Sequence, residues 1–93
     1  MRVNRRRSDI EIIADMLEVG ENGAGKTQIM YSVNMSYFQL QKYLDFMLDR
    51  GLIDKVRLGN PSVTYRVTAK GLRLLRSIDV ILNTLELRGP EEA

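Results

Sequence analysis

Gly20-Glu21-Asn22-Gly23-Ala24-Gly25-Lys26-Thr27 matches the phosphate-binding pattern G-x-x-x-x-G-K-[ST] at every fixed position. In such a loop, backbone N–H groups cradle phosphates, the lysine reaches the terminal phosphates and the hydroxyl binds magnesium. That chemistry needs a buried strand before the loop and a helix after it, within a parallel sheet. The residues before Gly20 carry a different pattern. Ser8-Asp9-Ile10-Glu11 has the form of a capping box, and Ile10, Ile13, Met16 and Leu17 recur at helical spacing with Ile12 beside them. No apolar strand ending in aspartate offers a magnesium-side acid. The expectation is therefore a glycine-rich connection whose Lys26 and Thr27 open a second helix, with no nucleotide and no other cofactor bound.

Other small-enzyme chemistry is excluded by composition. The chain has 93 residues with no cysteine and no histidine. This removes disulfide frameworks, thiolate or imidazole metal sites, a cysteine nucleophile and any Ser-His-Asp triad. At 44% hydrophobic and 28% charged, the chain is too apolar for a disordered tail and has the size of one domain. The expectation is a non-enzymatic protein without a metal. No run approaches 18 apolar residues, and acids interrupt the stretch after the basic start, so a cytoplasmic location is expected.

The net charge of +2 conceals a pattern along the chain. Residues 1–7 carry +4 from arginines alone, residues 8–21 carry −5 from acids alone, residues 22–78 carry +6 and residues 79–93 carry −3. A basic middle in a nearly neutral chain points to a polyanionic partner. The polar residues there have suitable chemistry. Gln39 can bond adenine bidentately, Lys42 can reach guanine or phosphate, and Ser36 can contact either. Arg57 and Arg66 are expected to flank a turn with Asn60 and Ser62 at its tip, placed for phosphate or the minor groove. Lys26, Thr27 and Gln28 would open a helix, where the backbone favours anions. Arg5, Arg6 and Arg7, with Arg2, form a basic arm suited to counterion release. Each group also has a plainer reading as solvated surface.

The elements that would position these residues follow from periodicity and punctuation. A first helix spans about 9–19 and is stopped by Gly20, and residues 21–25 read as a loop. A second helix covers 26–33, with Ile29, Met30 and Val33 available inward. Asn34 can end it in the left-handed conformation, and Ser36 caps a third helix from about 37 to 50. On that helix Tyr37, Leu40, Leu44, Met47 and Leu48 share one face and Gln39, Lys42, Asp45 and Asp49 the other, with Gln41 near the boundary. Gly51 closes it. Residues 52–58 and 63–67 then read as two strands of a hairpin around Gly59-Asn60-Pro61-Ser62. Thr68 caps a last helix expected to run to about Leu87, with residues 88–93 as a tail. Three helices, a hairpin and a long final helix make a mainly α fold with a small β-hairpin: the winged helix-turn-helix arrangement. The expected division is an arm (1–8), the winged domain (9–68), a C-terminal helix (69–88) and a tail (89–93).

A resemblance adds to this reading. Lys26-Thr27-Gln28-Ile29-Met30-Tyr31, Asn34-Met35-Ser36-Tyr37, Leu40, Tyr43-Leu44, Met47 and Gly51-Leu52-Ile53, followed by Tyr65, Thr68, Lys70-Gly71 and Leu75, resemble the archaeal winged-helix DNA-binding proteins of about ten kilodaltons. That family includes basic chromatin-type proteins and small predicted transcriptional regulators. The resemblance implies binding of double-stranded DNA, with helix 36–50 in the major groove and the 57–66 hairpin on the backbone or minor groove. It also implies an archaeal, nucleoid-associated setting and dimerisation through the last helix as an antiparallel coiled coil. Leu75, Ile78, Leu82 and Leu85, at heptad spacing, would form the homodimer seam. The modest charge favours a transcriptional regulator over a DNA-coating protein. Two alternatives remain: a winged-helix protein-interaction module, and a chromatin-type architectural protein.

Overall fold

The computed structural model describes residues 8–57 and 63–87. Its elements are α1 (Asp9–Val19), a 3-10 turn (Gly20–Asn22), α2 (Lys26–Val33), α3 (Tyr37–Asp49), β1 (Ile53–Arg57), β2 (Val63–Val67) and α4 (Ala69–Thr84). The expected order of helices and hairpin is the observed one.

Local chemistry sets most boundaries. Ser8 accepts from the Glu11 N–H at 3.2 Å, and Glu11 Oε1 accepts from the Ser8 N–H at 2.9 Å, closing the capping box that starts α1. Asn34 takes a left-handed φ of 58° and ends α2. At the end of α3, the Leu52 N–H donates to Met47 O at 2.9 Å and the Gly51 N–H to Leu48 O at 3.1 Å, the paired bonds of a Schellman motif. Thr68 caps α4 by accepting from the Gly71 N–H at 3.0 Å, while its hydroxyl donates to Gly51 O at 2.7 Å. One threonine thus joins the end of α3 to the start of α4.

Gly20 stops the first helix where expected: α1 ends at Val19, and with a φ of −85° at Gly20 the chain tightens into the 3-10 turn. Three expectations need correction. Residues 21–25 are not wholly irregular, because Ala24 forms an antiparallel bridge with Tyr65. The last helix ends at Thr84, ahead of Leu87. There Glu86 adopts a left-handed φ of 56°, and the Leu87 N–H returns to Leu82 O at 2.9 Å. The inward face of α1 is also rotated from the one expected: Ile12, Ala14, Met16 and Leu17 are buried, whereas Ile10 is half exposed.

One core runs through the described residues. Met16 and Leu17 of α1, Ile29 and Val33 of α2, and Leu40, Leu44 and Met47 of α3 meet Ile53, Tyr65 and Val67 of the hairpin. Leu75, Ile78 and Leu82 of α4 join the same core and are 3–5% exposed. These are three of the four residues expected in the dimer seam. Helix α4 lies against α1 and buries them within the protomer, while Leu85, just past the end of α4, is 60% exposed. The final helix is therefore part of the packed domain along most of its length.

Candidate nucleic-acid interface

Helix α3 organises the candidate site. Leu40, Leu44 and Met47 fix its inward face, so the outward side carries Phe38, Lys42, Asp45 and Asp49, all exposed. Its charge is graded: Lys42 stands in the N-terminal half, and the two aspartates lie toward the C-terminal end. Tyr37, expected on the inward face, is 58% exposed instead. Its hydroxyl donates to Gln41 Oε1 at 3.4 Å, and Lys26 Nζ donates to the same oxygen at 2.8 Å. The Lys26 ammonium also lies 5.5 Å from the centre of the Tyr37 ring. Gln41 Nε2 in turn donates to Asp45 Oδ1 at 3.0 Å. This chain of contacts ties the first residue of α2 to the first two turns of α3.

Gln39 occupies a position that its expected base-reading role did not anticipate. Ser36 accepts from the Gln39 N–H at 3.1 Å, and Gln39 Oε1 accepts from the Ser36 N–H at 3.2 Å. The pair is a second capping box. The pattern Ser-x-x-Gln was available in the sequence as its signal. Gln39 stays exposed, but its amide oxygen is committed to the start of the helix.

The start of α2 has different chemistry. Gly25 caps it without a side-chain bond, and its first turn holds no acid, unlike the first turn of α1 with Asp9 and Glu11. Thr27 and Gln28 are exposed there. The glycine segment before them follows a helix, not a strand, so the surroundings of a nucleotide-binding loop are missing. The segment instead packs on the hairpin. The Ala24 N–H donates to Tyr65 O at 2.9 Å, and the Tyr65 N–H donates to Ala24 O at 2.8 Å. Gly23 makes that approach possible: its φ is 88°, and a Cβ there would lie 2.8 Å from Thr64 Cγ2.

On the hairpin, Arg57 pairs with Val63 and Arg66 pairs with Asp54. The two arginines therefore do not flank the turn together. Arg57 stands beside it, whereas Arg66 is three pairs further back. Opposed residues share a face and successive residues alternate, so the two guanidinium groups leave from opposite faces. Arg66 reaches over Gly23, with Nε 3.7 Å from the position a Cβ would take. Asn60 and Ser62, and Arg5, Arg6 and Arg7 of the arm, lie outside the described residues.

Sequence reasoning passed over two aromatic side chains. Phe38 is 76% exposed at the start of α3, and Tyr31 is 77% exposed on α2. Helical projection places Phe38 opposite Leu40, which was the available signal. Away from this face, an apolar groove between α1, the end of α3 and α4 is lined by Ile10, Ile13, Phe46, Leu74 and Ile81. Arg50 stacks its guanidinium 3.8 Å above the Phe46 ring at the edge of that groove.

A helix-turn-helix whose entry loop is bridged to a two-stranded hairpin defines the winged helix as a class. The chain belongs to the winged helix-turn-helix family, whose model matches residues 6–86. The crystal structure of Sso10a-2, a DNA-binding protein from Sulfolobus solfataricus, superposes with a TM-score of 0.79 at 30% identity, covering 86% of this chain and 83% of that one. The resemblance to small archaeal winged-helix proteins is borne out. An uncharacterized protein of Methanocaldococcus jannaschii is 40% identical over 55 residues, 56% of this chain and 57% of that relative. The match thus spans little more than half of that protein's length. ZitR of Lactococcus lactis, solved as wild type in complex with DNA, has a TM-score of 0.61 at 16% identity, covering 94% of this chain and 67% of that one; at this identity the likeness is one of fold. Among the described residues, no helix is long and apolar enough to cross a membrane and no acidic cluster could hold a metal ion.

Proposed function

We propose that the protein binds double-stranded DNA, with the N-terminal half of α3 in the major groove and the hairpin on the backbone or minor groove. The observation that carries this reading is the outward face of α3, where Phe38, Gln39 and Lys42 are exposed near the N-terminus and the acids are held toward the other end. Helix-turn-helix proteins meet base edges with that N-terminal half. The start of α2, with no side-chain cap bond and no acid in its first turn, suits a phosphate, which favours Thr27 and Gln28 as backbone contacts beside Lys26. Arg57, Arg66, Asn60 and Ser62 of the wing and Arg5, Arg6 and Arg7 of the arm supply the remaining contacts. The printed description of Sso10a-2 as DNA-binding and the DNA complex of ZitR lend support. A net charge of +2 favours a small transcriptional regulator over a protein that coats DNA. The reading places the protein at the nucleoid and involves neither cofactor nor nucleotide.

The dimer belongs to the same proposal, with its seam moved. Leu75, Ile78 and Leu82 are spent on the protomer core, so the apolar side chains left for a second copy include Leu74 and Ile81, with Ile10 beside them, and the exposed Val80 and Leu85. Two protomers would present two recognition helices to two half-sites.

Titration of duplex DNA at two salt concentrations tests the main reading. Log affinity falls with log salt at a slope of about −0.9 per phosphate contact, and about four to eight contacts per protomer are expected. Absence of duplex binding at low salt would overturn the reading and leave the winged helix as a protein-interaction module.

A further inference from the structure

We infer that Phe38 is a specificity-determining residue that recognises the C5-methyl group of a pyrimidine, whether thymine or 5-methylcytosine, in the major groove. The inference rests on the DNA-binding reading of α3 and adds to it the base feature that is read.

The first four residues of the α3 region divide sharply in what they have free. Ser36 and Gln39 are bonded to each other across the helix start. The Tyr37 hydroxyl belongs to the cluster around Gln41 and Lys26. Phe38 is the one of the four with no polar side-chain atom, yet it is 76% exposed. It points away from Leu40 and Leu44, with Lys42 one turn further on the same side. A phenyl ring in that position adds little to the fold, because it leaves most of its surface in water.

The chemistry of the groove narrows what such a ring can meet. Base edges in the major groove present hydrogen-bond donors and acceptors, and the one apolar feature among the unmodified bases is the C5-methyl of thymine. A phenyl ring neither donates nor accepts, so it gains nothing specific from guanine, adenine or unmodified cytosine edges. Phosphate offers it no apolar surface either. Tyr31, similarly exposed on α2, differs here because its hydroxyl can bond a phosphate oxygen. The ring of Phe38 and the ammonium of Lys42 would then act together, one on a methyl and the other on guanine or phosphate.

Three mixed-sequence duplexes of one sequence test the inference: one with thymine throughout, one with uracil replacing thymine, and one with 5-methylcytosine replacing cytosine. Wild type and Phe38→Ala are titrated against each by fluorescence anisotropy at low salt. Wild type is expected to lose about fourfold in affinity on the uracil duplex for each thymine methyl contacted, or to gain similarly on the methylated duplex if the methyl belongs to cytosine. Phe38→Ala should bind all three alike and melt like wild type, since the ring is exposed. Phe38→Leu keeps an apolar contact and should retain part of the discrimination. Equal affinity of wild type for the three duplexes, or the same discrimination in Phe38→Ala, would overturn the inference while leaving DNA binding intact. Failure of wild type to bind any duplex would instead overturn the DNA reading beneath it.

Discussion

A glutamine three residues after a capping serine can serve the helix or a ligand, and Gln39 has its amide oxygen on the Ser36 N–H. Gln39→Ala should therefore lower stability by about 0.5–1 kcal/mol, a few degrees of melting temperature in a domain this size. Gln39→Glu retains the box and should melt like wild type, yet weaken DNA binding by bringing a carboxylate toward phosphates. If Gln39→Ala melts like wild type and loses only sequence preference, the glutamine reads a base as first expected. The residue types at this site were legible in advance; their commitments were not. Ser-x-x-Gln at 36–39 is the same signal as Ser-x-x-Glu at 8–11, but a polar side chain on an outward helix face invites assignment to a ligand. Tyr37 shows the converse case. An aromatic residue near the boundary of a helical stripe reads as core, and only the third dimension reveals Lys26 and Gln41 around it. The arginines of the wing depended on register, which two five-residue strands do not specify by pattern alone.

At the scale of elements, punctuation was the reliable signal: Ser8, Asn34, Ser36, Gly51 and Thr68 all stand at helix boundaries because each satisfies backbone groups there. The bridge at Ala24 was illegible because one residue pairing with a distant strand leaves no period. A second hidden constraint lies in α4. Gly71 is buried in the first turns of that helix, and a Cβ there would collide with the Leu52 carbonyl and sit 2.9 Å from Val67 Cγ1. Alanine is ordinarily the better helix residue by up to about 1 kcal/mol. Here the sign should invert. Gly71→Ala is expected to destabilise by about 1–3 kcal/mol, because backbone cannot move aside as a side-chain tip can. Chemical denaturation checks this, and a stabilised variant would show that α4 can ride outward from the hairpin without loss.

For the whole molecule, the decisive packing is α4 on α1. It turns a stripe that reads as a dimer seam into core, and heptad spacing cannot distinguish the two, since both need apolar residues at steps of three and four. Ile78→Asp should consequently unfold the protomer, because a buried unpaired charge costs several kcal/mol against a total stability of about 5–15 kcal/mol. Ile81→Asp, on the exposed flank, should leave the melting profile of the protomer intact and reduce the sedimentation coefficient to that of a monomer. Wild type that sediments as a monomer at about 100 μM, well above the ~1 μM dissociation constant equivalent to about 8 kcal/mol, would remove the dimer from the proposal. The bridge between Ala24 and Tyr65 also bears on when the protein becomes competent. Helices α1, α2 and α3 lie near one another in sequence and can form early, but the segment entering α2 gains its hydrogen-bond partner only when β2 arrives. A chain emerging from the ribosome at about 5–20 residues per second therefore carries an unfinished α2 entrance for seconds. Both ends of the proposed DNA footprint, helix entrance and wing, are completed by the same closing contact. A nascent chain should hold only an incomplete version of that surface until β2 arrives, and full binding should appear in a single late step of synthesis.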